Sequence, residues 1–117
     1  MRAAIRSIMS LDVDDLDGWA PESESWALGL QILAGPDDGP GEESFELTVC
    51  NLAWLAERVR RDGVYDGRHH LVVERYDWST LRVFVERRVR ACHGPTWRDV
   101  AVQLARLGYW EFEDYQP

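Results

Sequence analysis

Two runs of alternating apolar residues, joined by a turn dense in Gly and Pro, fix the centre of this chain. Residues 25–34 (SWALGLQILA) carry Trp26, Leu28, Leu30 and Ile32 at a period of two. Residues 44–50 (SFELTVC) repeat the pattern with Phe45, Leu47 and Val49. Strand side chains alternate between faces, so each run presents one apolar face and one mixed face. The intervening GPDDGPGEE (35–43) has the composition of a turn. The unit predicts an antiparallel hairpin, with Glu46 and Thr48 directed to water on its outer face.

The remaining elements are arranged around this hairpin. Residues 2–9 (RAAIRSIM) read as a first strand, with Ile5 and Ile8 among mixed neighbours, and 10–24 (SLDVDDLDGWAPESE) as a long acidic loop. Asn51 is placed to cap a helix running to about Asp62, with Leu52, Leu55, Ala56 and Val59 as its apolar stripe, and Gly63 to end it. Residues 69–75 (HHLVVER) form a fourth strand. It is apolar on both faces, which points to a central position. Asp77 or Ser79 caps a second helix to about Cys92. Thr96, with Asp99 three residues on, opens a third through a capping box. The ending YWEFEDYQP alternates apolar and acidic residues, as a short edge strand would. Strands first and helices later predict an α+β domain: an antiparallel sheet of about four strands with three helices packed on one face.

At 117 residues, 45% of them hydrophobic and six of them Trp, the chain can bury a core as one domain spanning 1–117. Two cysteines, Cys50 and Cys92, make no disulfide framework and read as buried thiols of a reducing compartment. The first residues lack an apolar core long enough for a signal peptide, and no run approaches a membrane span, so a cytoplasmic protein is expected.

Charge is unevenly distributed. Residues 1–56 hold eleven acids against two Arg, and residues 58–106 hold eleven Arg against six acids, within a net charge of −8. A pI near 4.8 opposes nucleic-acid binding. The acidic front half is instead a footprint for a basic protein partner. The first candidate contacts are Asp12, Asp14, Asp15, Asp17, Glu22 and Glu24, and the second are Asp37, Asp38, Glu42 and Glu43. Trp19, set among the first group, is either a binding anchor or a cover for the sheet edge. Trp110, within the alternating tail, reads as packing.

Motifs of catalysis and metal binding do not emerge. Asp12-x-Asp14-Asp15-x-Asp17-Gly18 resembles a calcium loop but places Leu16 at position 5, Asp17 at position 6 and Ser23 at position 12, where ligand, Gly and Glu belong. His69 and His70 are adjacent on a strand and point to opposite faces, so they do not share a metal. No nucleophile elbow, phosphate loop or zinc-protease helix is present. No cofactor and no enzymatic activity are expected. The alternatives are an acidic interaction module or nucleic-acid mimic, or a small enzyme built on His69 or His70 with Glu74.

Four blocks in order, RSIMSLDVDDLDGWAPES, GPGEESFELTVCNLAWLAE, LVVERYDWSTL and RLGYWEFEDYQP, resemble the immunity protein 8 family of bacterial polymorphic toxin systems. The resemblance covers nearly the whole chain. It implies a small cytoplasmic protein that binds and blocks a cognate secreted toxin domain. It implies no catalytic residue, no particular toxin and no oligomeric state.

Overall fold

The computed structural model describes residues 1–114. The elements run β1 (Ala3–Met9), β2 (Ala27–Pro36), β3 (Glu43–Asn51), α1 (Leu52–Asp62), β4 (His70–Val73), α2 (Trp78–Arg90), α3 (Trp97–Leu104) and β5 (Tyr109–Trp110). The strands form one sheet in the order β1-β2-β3-β4, and β5 pairs with the remaining part of β3.

The central hairpin forms as expected, from Ala27 opposite Cys50 to Ala34 opposite Glu43. Its apolar alternation becomes the floor of the core: Trp26, Leu28, Leu30, Ile32, Phe45, Leu47 and Val49 are all buried. Each such side chain withdrawn from water contributes roughly 1.5–3 kcal/mol. The turn closes tightly, because a Cβ on Gly35 would lie 1.9 Å from the Gly41 carbonyl oxygen, a clash only glycine avoids. Arg6 of β1 holds this turn from outside. Its Nη2 donates to Pro36 O and Gly39 O, both at 2.8 Å, and its Nε donates to Gly41 O at 3.4 Å. The mixed pattern of β1 has a local cause. A bulge at Arg6 shifts register between Ile5 and Ser7, so Ile5 and Ile8, three residues apart, both pack on the core.

The α+β expectation holds, with five strands and three helices, but the sheet is mixed and not purely antiparallel. β4 runs parallel to β3, pairing Thr48 with His70 through Asn51 with Val73. The cause is the connection. β3 passes directly into α1, and a strand that returns through a helix beside its predecessor arrives in the same direction. β4 is also an edge strand and not a central one. Leu71 and Val73 pack on the core, while Val72 on the other face stays 44% exposed.

α2 and α3 supply the helical side of the core with Leu81, Val85, Val89, Val100, Ala101 and Leu104. Asp77 is the α2 N-cap residue, and Thr96 with Asp99 forms the expected capping box on α3. α1 stands apart. Asn51 caps it as expected, accepting from Trp54 N–H at 3.1 Å, and Gly63 ends it with φ 77°. However, Leu52 and Val59 of the expected stripe are 68% and 44% exposed. The helix instead turns Trp54 and Arg58 toward the protein, with the guanidinium 4.6 Å from the indole centroid. Cys50, buried but outside the core cluster, lies on the strand face opposite Val49.

The C-terminal alternation forms only Tyr109–Trp110 as strand, pairing Trp110 with Phe45. Trp110 is buried, as packing required. The end of that run, 115–117, lies outside the described residues.

Candidate functional site

The two acidic segments lie at opposite ends of the sheet. The loop between β1 and β2 enters at Ala27, and the β2–β3 turn leaves from Pro36, so the ten residues of β2 separate them by about 30 Å. They are therefore two separate acidic patches, one at each end of the hairpin.

The loop at the Ala27 end is anchored at four points. Asp12 Oδ2 accepts from Gly29 N–H at 2.6 Å, satisfying a β2 donor beyond the end of β1. Tyr76, after β4, donates its hydroxyl to Leu16 O. Trp19 packs edge-on against Tyr76 and Trp26, with centroids 4.7 and 5.5 Å away. Asn51 Nδ2 donates to Glu24 O at 2.7 Å. Trp19 thus spends its ring on internal packing. Asp12 is a structural acceptor, and Asp15 turns its carboxylate onto Asp17 N–H at 3.2 Å. Asp14, Asp17, Glu22 and Glu24 are exposed.

The β2–β3 turn divides in the same way. Asp37 Oδ1 accepts from Arg2 N–H at 3.0 Å, while Asp38 and Glu42 are exposed. Glu43 is half-buried and is claimed by two indoles. Trp97 Nε1 donates to its Oε1, and Trp110 Nε1 donates to its Oε2 at 3.2 Å. Loop composition alone does not reveal such a role, because the partners are 54 and 67 residues away.

Sequence reasoning missed that the acidic end extends beyond the loop. Tyr76 brings the β4–α2 connection, with exposed Glu74 and Asp77, against residues 16–19. Glu57 of α1 joins from the other side, accepting from Ser25 Oγ at 2.8 Å. The contact has an electrostatic signature: burial first, then the Asp17 and Asp15 charges, push the Tyr76 hydroxyl up to about 12. A raised value favours the neutral phenol in the folded state. That stabilisation is complete below the unfolded value near 10 and is lost as pH rises through about 12. It amounts to roughly 2 kcal/mol at most for this partly buried ring. Urea melts of wild type should therefore lose stability between pH 10 and 12. Tyr76→Phe, starting about 1 kcal/mol lower at pH 7 for the lost hydrogen bond, should lose less over that interval. Parallel declines in the two proteins would refute the assignment.

The enzymatic alternative needed His69 or His70 to converge with Glu74, and they do not. A depression of about 430 Å³ on the outer sheet face is lined by both histidines with Asp12, Gln31, Glu46 and Thr48, whereas Glu74 lines a different cleft. His70 is engaged at both ring nitrogens, donating from Nδ1 to Arg68 O at 2.7 Å and meeting Tyr65 Oη at 2.9 Å. His69 donates from Nε2 to Ala105 O at 2.6 Å, and its Nδ1 is buried. The two rings diverge, but not as adjacent strand positions: His69 precedes β4 in a turn, with φ 59°, and packs edge-on against Tyr109, while His70 opens the strand and turns to Tyr65. Among the described residues no group of three His, Cys, Asp or Glu is arranged to hold a metal ion. Burial pushes both the Cys50 and Cys92 thiols up, and Arg88 and Arg106 partly offset this at Cys92.

Among the described residues no helix is long and apolar enough to cross a membrane. A family model described as Immunity protein 8 matches residues 3–115. No curated protein and no solved structure is matched at a significant level.

Proposed function

This chain belongs to the Immunity protein 8 family, and on that footing we propose that it binds and neutralises a cognate toxin domain in the cytoplasm of the cell that makes it. The observation that carries the reading is the extent of the family match, 3–115 of 117 residues. The match spans the sheet, the helices and the acidic loop. The role is inhibition by contact. An acidic surface meets a basic one on the toxin, which speeds encounter and excludes the toxin's own target.

The contact is assigned to the Ala27 end of the sheet. There Asp14, Asp17, Glu22 and Glu24 project from a loop whose backbone is already held, so little ordering accompanies association. Asp12 and Trp19 support that surface from within. The β2–β3 turn, with Asp38 and Glu42 exposed, lies about 30 Å away and is the second candidate patch.

The test is co-expression with the toxin domain encoded beside this gene. Cells producing both should survive, and the two proteins should purify together. Death of the cells and separate elution, with this protein folded, would overturn the proposal.

A further inference from the structure

The two long edges of the sheet are treated differently. Natural sheets protect an edge from foreign strands with bulges, charges or a covering segment. The β1 edge has two of these devices. Arg6 forms a bulge, and the α2–α3 connection lies alongside, with Ala3 N–H bonded to Cys92 O at 3.2 Å and Gly94 N–H to Met1 O at 3.0 Å. The β4 edge has neither. His70–Val73 contains no bulge, proline or acid, and among the described residues only β3 pairs with it. Thr48 N–H bonds to His69 O at 2.9 Å, so in a parallel ladder Leu71 and Val73 direct their main-chain groups to β3. Val72 directs its N–H and C=O away from the sheet.

Beside this edge lies a cleft of about 400 Å³ between β4 and α2, walled by Leu71, Val73, Leu81 and Phe84. Phe84 is 46% exposed although it faces this apolar cleft. Unpaired main-chain groups next to an apolar cleft match one kind of occupant. An extended strand would complete the ladder and place alternate side chains in the cleft.

We propose that a β-strand of the toxin, flanked by basic residues, adds to the open edge of β4. The inference rests on the toxin-binding reading above and specifies its geometry. Charge favours this occupant. The C-terminal end of β4 continues into Glu74, Arg75 and Asp77; Arg75 offsets one of these acids, but Tyr76 ties the segment to the acidic loop, so a strand on β4 ends against that loop. The same charge opposes a second copy of this chain, which carries −8.

Binding of the purified toxin domain by wild type, Val72→Pro and Phe84→Asp tests this, with circular dichroism and thermal melts verifying each fold. Proline at Val72 removes an N–H that the sheet does not use, and an edge position tolerates it. Phe84→Asp changes a half-exposed side chain and serves if the proline variant is misfolded. Each variant should weaken binding about tenfold or more, the loss expected when main-chain hydrogen bonds or apolar contacts go unmade at a desolvated interface. The Val72 amide should exchange more slowly in the wild-type complex. Tight binding by wild type and both folded variants, with unchanged exchange at Val72, would overturn the strand addition and leave the immunity reading standing. A wild-type protein that does not bind at all would overturn both. A wild-type dimer in sedimentation that Val72→Pro dissolves would assign the edge to a second copy and overturn the toxin assignment.

Discussion

Replacing Glu43 by Ala should lower folding stability by about 2–4 kcal/mol, although the residue ends an acidic turn and its charge suggests a surface role. Its carboxylate accepts from the indoles of Trp97 and Trp110, joining the start of α3 to β5 across the end of the hairpin. A buried donor deprived of its acceptor costs roughly 1–3 kcal/mol. Trp110 is buried and cannot turn to water, while Trp97 is half-buried and recovers part of the loss. Glu43→Gln should lose about half as much, because an amide keeps one accepting oxygen and places a donor against the second indole. Urea denaturation checks both, and for a domain of this size the alanine variant should melt roughly 10 °C lower. An alanine variant within about 0.5 kcal/mol of wild type would show the carboxylate to be dispensable.

Reversing Asp14, Asp17, Glu22 and Glu24 to Lys should slow association with the toxin by about 10- to 1,000-fold at low ionic strength, with the gap narrowing as salt is added. The fold should tolerate the change. The four side chains are exposed, and the loop is held through Asp12, Leu16, Trp19 and the Glu24 carbonyl. The matched control is Asp38→Lys with Glu42→Lys, which alters charge about 30 Å away. Stopped-flow or surface plasmon resonance at two salt concentrations separates the cases. A slow far-end variant and a normal near-end variant would move the contact to the β2–β3 turn. Two unaffected variants would remove steering by these loops from the mechanism.

What the sequence made legible was local. Period-two alternation located β2 and β3 and named the residues that line the core. Asn51, Thr96 and Asp99 announced helix starts through hydrogen bonds that span three residues. The features that eluded it depend on distant partners. The apolar run Leu71-Val72-Val73 is the same whether a strand is central or at an edge, and only the crossover through α1 decides. The α1 stripe held at Leu55 and Ala56, which are half-buried, but Trp54 and Arg58 took the inward face from Leu52 and Val59. Among the acids, spacing could not distinguish Asp12, Asp37 and Glu43, which serve the fold, from Asp14, Glu22 and Asp38, which face water.

The guanidinium of Arg6 bears on how such a protein can change. The β2–β3 turn is shaped by a side chain from another strand that grips three carbonyl oxygens, Pro36 O, Gly39 O and Gly41 O, and by the close approach of Gly35 to Gly41. None of these interactions reads the side chains at Asp38, Pro40 or Glu42. Those positions form a display whose letters can be exchanged while the frame is kept, so a lineage could rewrite the charge at this end of the molecule without relearning how to fold.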